Sequence, residues 1–243
     1  MDIRTIKLET VDSTNNYAKK IFDSLETEKT VIIANEQTNG RGRQGRSFHS
    51  PKDNGIYMSI VLKKECKLEA LNMLTVISAV AVSKAIYNIT KLNNEIKWVN
   101  DIYINLKKVC GILAESVNIK SNGLTDGVIV GIGINIKTTD DFPKDIKDIA
   151  GALNFDDRDS LIYEILKQFD VCLNGDINSI LNYYRDKSMV LNKNITYEKN
   201  GVTFTKKVVE INNLGNLVVC DESGKSEIIT SGEIRLGVNN ICG

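Results

Sequence analysis

The spacing of apolar and polar positions changes along the chain, and each change marks an element. Residues 3 to 10 alternate with a period of two, as a strand covered on one face does. Asp12, Ser13, Thr14 and Asn15 follow, four residue types that cap helices, so a helix is expected over Tyr17 to Leu25. Thr30 to Asn35 and Ile56 to Leu62 are short β-branched and apolar runs and read as strands. The longest apolar-rich stretch, Leu68 to Ile89, is broken by Glu69, Asn72, Thr75, Ser78, Ser83 and Lys84, which predicts a buried helix and not a bilayer span. Ile96 to Val99, Ile102 to Leu106, Val109 to Glu115 and Gly127 to Ile136 form a dense strand region, with Asn105-Leu106-Lys107-Lys108 as a hairpin tip. Residues 138 to 157, with Asp140-Asp141, Pro143 and Asp156-Asp157, read as a surface connection. Helices are expected over Ser160 to Asn174 and Ile177 to Lys187.

The character changes near residue 190. Ile195 to Glu198, Thr203 to Ile211, Asn216 to Cys220 and Ser226 to Thr230 are short strands. They are separated by Lys199-Asn200-Gly201, Asn213-Leu214-Gly215 and Glu222-Ser223-Gly224. This spacing predicts a small all-β barrel over residues 191–243, after an α+β domain over 1–190 that mixes helices with antiparallel strands.

Composition narrows the function. Lys plus Arg and Asp plus Glu are equal at 31 each, so nothing draws the whole chain toward nucleic acid or an anionic membrane. The first residues lack the apolar core of a signal peptide. Five cysteines (66, 110, 172, 220, 242), odd in number and never at C-x-x-C spacing, argue against a disulfide framework or structural zinc and point to a reducing, cytoplasmic setting. His49 is the sole histidine and sits in a loop, which disfavours a Ser-His-Asp triad.

Against that neutral background, Gly40-Arg41-Gly42-Arg43-Gln44-Gly45-Arg46 stands out. Three close cations repel one another, and no apolar residue holds the segment down. It is expected to stay mobile until a phosphate or carboxylate arrives and to close over that anion, which arginine binds through a planar fork. The glycines match the spacing of a dinucleotide fingerprint and fall near that of a P-loop, but residues 47 to 55 read as loop where both motifs need a helix. A mobile surface loop is the plain alternative.

Lys97-Trp98-Val99-Asn100-Asp101 holds the one tryptophan and sets an Asn-Asp pair between strands, either a turn or an oxygen ligand for Mg²⁺. Lys107-Lys108 is either a soluble edge or a source of one lysine for a buried anion. Gly131 and Gly133 leave one sheet face bare, for close helix packing or for a ligand lying flat.

Taken in order, Ser13-Thr14-Asn15, Gln37 with the arginine loop, Lys-Trp-x-Asn-Asp, Lys-Lys-Val-Cys-Gly-Ile-Leu-Ala-Glu-Ser, Gly-Ile-Gly-Ile-Asn and Ser-Gly-Glu-Ile-Arg-Leu closely resemble the biotin protein ligases over about residues 5 to 237. The resemblance implies a class II synthetase-like catalytic domain, a mixed, mainly antiparallel sheet with helices on one side, plus an SH3-like C-terminal barrel. It implies that biotin reacts with ATP to give biotinyl-5′-AMP, and that a lysine of a biotin carboxyl carrier domain then takes the biotin. Ser13, Thr14, Asn15 and Gln37, with Gly40, Arg41, Lys108 and Gly111, would bind biotin. Arg43, Arg46, Phe48 and Asn135 would bind ATP, with Phe48 where the family often has tryptophan. Asp101 would meet Mg²⁺, and Lys108, Arg41 and Arg43 would act in catalysis. Val99 falls where the family usually has proline. The pattern starts within ten residues of Met1, so the DNA-binding domain of many relatives is expected to be absent, with neither DNA nor membrane as partner. Relatives often pair through sheet edges, which allows a homodimer. A lipoate- or octanoate-transferring protein of related fold is the alternative.

Overall fold

Two sheets organise the chain, and the larger one separates two unequal layers. The structure is a computed structural model that describes residues 4–138 and 142–236. Asp140, Asp141 and the chain ends, although assigned above to a connection and to flanking strand and barrel, lie outside the described residues.

The first part runs β1 (Arg4–Val11), α1 (Thr14–Ile21), β2 (Lys29–Gln37), β3 (Gly55–Leu62), β4 (Cys66–Lys67), α2 (Ala70–Thr90), β5 (Glu95–Lys97), β6 (Asp101–Ile104), β7 (Lys107–Ile119) and β8 (Leu124–Asn135). Next come α3 (Arg158–Leu173) and α4 (Ile177–Asp186). The strand order is β1-β2-β3-β8-β7-β6-β5, with β4 against β8. β1 and β2 are parallel and every other pair is antiparallel. The parallel pair is possible because α1 forms the crossover between the two strands.

Alternation along β3 and β8 divides the core. Ile56, Met58, Ile60, Val130, Ile132 and Ile134 join α2, α3 and α4 in the main cluster. Val61 and Ile129 face the other way, onto Ala18 of α1 and Phe22 and Leu25 just after it. The large helical layer thus covers one face, as expected, while short α1 lies on the opposite face and leaves room beside it. α2 is buried along most of its length between the sheet and α3, which explains its nearly uninterrupted apolar composition. It ends at Lys91, in the left-handed region.

The hairpin tip is tighter than the sequence suggests. Only Asn105 and Leu106 turn, with φ of 49° and 62°, and Lys107 and Lys108 already belong to β7.

β9 (Asn194–Lys199), β10 (Val202–Ile211), β11 (Leu217–Cys220), β12 (Ser226–Ile229) and β13 (Ile234–Leu236) form the second sheet, antiparallel in the order β12-β11-β10-β9-β13. It is the SH3-like β unit. Its β10–β11 turn docks on the first part: Trp98 Nε1 donates to the Gly215 carbonyl at 2.8 Å, and Asn72 Nδ2 donates to the Leu214 carbonyl at 3.0 Å. Gly215 has φ of 73°, and a Cβ there would stand 2.8 Å from Val76 Cγ2, so the turn needs glycine both for its backbone and for its contact.

Candidate active site

Across β7 and β8, Gly111 faces Gly133, Leu113 faces Gly131 and Glu115 faces Ile129. Ile129 packs with α1, so these residues share the face opposite the large helical layer. A cavity opens there. Its lining draws on the start of α1, the arginine loop, β5 to β8 and the barrel residues Gly232, Glu233 and Ile234.

One end is polar and tightly bonded. Ser13 is the N-cap of α1, but its hydroxyl makes no cap bond and instead lines the cavity. Thr14 gives its N–H to Gln37 Oε1 at 2.9 Å, and its hydroxyl lies between that oxygen at 3.2 Å and Ser59 Oγ at 2.7 Å. Ser59, fully buried on β3, lies 2.7 Å from Thr14 Oγ1 and 2.6 Å from Asn15 Oδ1. The bare strip predicted at Gly131 and Gly133 is occupied by two side chains: a Cβ at Gly131 would fall 2.4 Å from Asn15 Oδ1, and one at Gly133 would fall 2.6 Å from the Phe48 ring.

The other end is cationic. Among the described residues, Arg41, Arg43, Arg46, Lys97 and Lys108 line the cavity against two carboxylates, Asp101 and Glu233. This local excess in a chain of zero net charge suits an anionic ligand. Lys108 reaches the cavity because of a β-bulge. Asp101 pairs with Gly111 and Ile102 with Cys110, but Tyr103 pairs with Lys108, leaving Val109 as the extra residue. Val109 and Cys110 both enter the main core, so Lys108 and Gly111 emerge on the same face. Lys108 Nζ then stands 2.8 Å from Asp101 Oδ1 as an ion pair outside hydrogen-bond geometry. The segment read as a surface connection holds the Lys108 backbone: Lys108 N–H donates to the Ile149 carbonyl at 2.7 Å, and Gly151 N–H to the Lys108 carbonyl at 2.8 Å.

The arginine loop folds over this end. Gly42 N–H donates to the Arg46 carbonyl at 2.7 Å and Phe48 N–H to the Gly40 carbonyl at 2.8 Å. Arg43 Nη1 donates to Asn100 Oδ1 at 3.2 Å, and Arg46 pairs with Glu233. Burial pulls the Arg43 guanidinium below its ordinary pKa against the pull of Asp101, and does the same to Lys97 against Asp101 and Glu233.

The structure therefore brings together Ser13, Thr14, Asn15, Gln37, Arg41, Arg43, Arg46, Phe48, Asp101, Lys108 and Gly111 around one cavity. Two sequence candidates are not among its lining residues. Gly40 packs its Cα where a Cβ would be 2.3 Å from the Phe48 carbonyl oxygen, and Asn135 Nδ2 donates to the Gly151 carbonyl at 2.9 Å. Lys97, Ser59, Glu115 and Glu233 carried no assigned role. The polar Ser59 and Glu115 within the apolar runs of β3 and β7 were the available signal.

Glu115 yields a pH prediction. Burial opposes its ionisation, but hydrogen bonds from Lys19 and Asn15, with the charges of Lys19 and Arg41, outweigh burial and hold its carboxyl below the usual glutamate range. Its contribution to stability is present above the unfolded-state value near about 4.3 and is lost as pH falls through the lower folded-state value. Urea titrations at a series of acidic pH values should show this loss, and Glu115→Gln should flatten that part of the profile.

A profile of the Biotin/lipoate A/B protein ligase family matches residues 8–135. The bifunctional ligase/repressor of Bacillus spizizenii is 33% identical over 237 residues, covering 93% of this chain and 72% of that protein. The biotin–[acetyl-CoA-carboxylase] ligase of Paracoccus denitrificans is 35% identical over 127 residues, 51% of each chain. Among solved structures, the biotin protein ligase of Aquifex aeolicus in complex with biotin and ATP superposes with a TM-score of 0.80 at 29% identity, covering 96% of this chain and 98% of that one.

Proposed function

Because this chain belongs to the biotin/lipoate A/B protein ligase family, we propose a reading of its cavity in which each end has one task. The protein is an ATP-dependent biotin ligase. The bonded end, with Ser13, Thr14, Asn15 and Gln37, takes the ureido ring, whose donors and acceptor match hydroxyl and amide partners. The cationic end takes the biotin carboxylate and the phosphates of ATP. The observation that carries this reading is that one cavity has both ends, the bonded one lined by Ser13, Thr14, Asn15 and Gln37 and the cationic one by Lys108 and the loop arginines.

In the first step the biotin carboxylate attacks the α-phosphorus of ATP, forming the mixed anhydride biotinyl-5′-AMP and releasing pyrophosphate. An anion must approach a polyanion, and two like charges at about 4 Å cost about 4 kcal/mol at an effective dielectric near 20. Lys108, Arg41 and Arg43 offset several such terms at once. In the second step the amine of an acceptor lysine, on a biotin carboxyl carrier domain in this reading, attacks the acyl carbon and AMP leaves. With ligand bound, the arginine loop would shield the anhydride from water, the competing nucleophile. Phe48, on Gly111 and Gly133, supplies a flat apolar face toward the nucleotide end.

Asp101 fits Mg²⁺. Its buried Oδ1 has the Lys108 ion pair but no hydrogen bond within normal geometry, and Mg²⁺ takes one or two carboxylates alongside substrate phosphates. When bound there, the ion would neutralise phosphate charge. No group of three or more His, Cys, Asp or Glu side chains suited to a metal occurs among the described residues, so Asp101 would be its main protein ligand. Free cysteines and dependence on ATP support a cytoplasmic setting.

ATP–pyrophosphate exchange with purified protein and Mg²⁺ tests the reading, with biotin, lipoate, octanoate or no acid added. Exchange is expected with biotin alone. Exchange driven by lipoate or octanoate instead would move the ring pocket to the related acyl class.

A further inference from the structure

Glu115 stands beside the cavity without a part in the chemistry above. It accepts from Asn15 Nδ2 at 2.8 Å and Lys19 Nζ at 2.7 Å, while Arg41 reaches both of its oxygens, with Nη2 3.1 Å from Oε1 and Nη1 3.4 Å from Oε2. Arg41 is the first cation of the loop. The far end of the loop is tied to the same network, because Gln37 Nε2 donates to Ser50 Oγ at 2.9 Å and Ser50 Oγ donates to the Phe48 carbonyl at 2.8 Å. One chain of polar contacts thus runs from Ser50 through Gln37, Thr14, Ser59 and Asn15 to Glu115, and it holds the loop at both ends.

We propose that Glu115 is a positioning residue that couples occupancy of the ring pocket to closure of the arginine loop. The inference rests on the ligase reading above. A ring bound by Thr14 and Gln37 fixes this chain, Asn15 included. Asn15 orients the Glu115 carboxylate, and the carboxylate presents both oxygens to the Arg41 fork, which needs a defined plane to bind. Arg41 and Lys19 are each more than a third exposed, so the ion pairs alone contribute little, and the orientation of the carboxylate carries the effect.

The test uses the full chain and trypsin, which cuts after Arg41, Arg43 and Arg46, with cleavage read by mass. Saturating biotin should slow loop cleavage roughly tenfold in the native protein and less than about twofold in Glu115→Gln. Saturation in each variant is verified by equilibrium dialysis with labelled biotin. Lys19→Met, which removes the other cation on the same carboxylate, should keep native protection. Native protection in Glu115→Gln overturns the proposal, and so does an equal loss in Lys19→Met, which would make the carboxylate merely structural. If Glu115→Gln does not fold, Glu115→Asp, which keeps the charge but withdraws it from the fork, is read in the same way. Native protein that binds no labelled biotin would sink the ligase reading and this inference together. Biotin binding by both proteins, with equal protection in the native protein and in Glu115→Gln, would sink the inference alone.

Discussion

Lys108→Ala is expected to slow biotin-dependent ATP–pyrophosphate exchange by roughly 100- to 1,000-fold, the scale for losing one preorganised charge at a reacting centre. The expectation is larger than for a loop arginine because Lys108 is fixed from three directions. The bulge at Val109 sets its face, residues 149 and 151 hold its backbone, and Asp101 orients its ammonium at 2.8 Å. Removing it also leaves the Asp101 carboxylate without its cation beside an incoming carboxylate and triphosphate, which turns a stabilising pair into one more repulsion. Folding should change little, because the Lys108 side chain is 31% exposed and buries no apolar core. The measurements are exchange rate and urea midpoint on the same preparation. Exchange within a few-fold of native would remove Lys108 from the reacting centre, and a collapsed midpoint would assign it to the fold.

Gly131→Ala should raise the KM for biotin by roughly 100-fold, the scale for disrupting about two hydrogen bonds worth up to about 1.5 kcal/mol each. The added methyl would stand 2.4 Å from Asn15 Oδ1 and 2.9 Å from its Cγ, so the Asn15 amide has to move. That amide is held by Ser59, Glu115 and the Leu113 carbonyl, and moving it breaks three contacts that shape the ring pocket. The effect should fall mainly on biotin: KM for ATP should change several-fold at most. Gly133→Ala makes the contrast, since its methyl would meet the Phe48 ring, whose movement touches the nucleotide end. If both variants shift both constants alike, the two ends of the cavity are not separate.

Much of the architecture was legible because burial writes period and composition directly. β2, β3, β8 and α2 are apolar since each is covered, and the turn glycines of the barrel punctuate its strands. What escaped the sequence involves long-range geometry. Strict alternation back from Gly111 would put Lys108 on the opposite face, and only the bulge returns it to the cavity. The capping residues before α1 suggested a local role, whereas Ser13 and Thr14 face the cavity and Gln37. The glycine strip suits close helix packing or a flat ligand, and its occupants, the side chains of Asn15 and Phe48, come from segments far away in sequence. Lys97 and Glu233 belong to motifs that had been singled out, yet charge alone does not tell which of several ions a fold will turn inward.

The cavity is lined from Ser13 to Ile234, and Arg46 of its loop pairs with Glu233, just before the last described strand. Such a site cannot assemble in order of synthesis. A nascent chain that has released the arginine loop and Lys108 from the ribosome still lacks the carboxylate that faces Arg46 and the turn that docks on Trp98. Its large sheet also depends on pairing across long stretches of chain, which favours slow folding. The enzyme should therefore gain the ability to retain a hydrolysable adenylate late and all at once, so that a partly made molecule is not a leaky source of activated biotin.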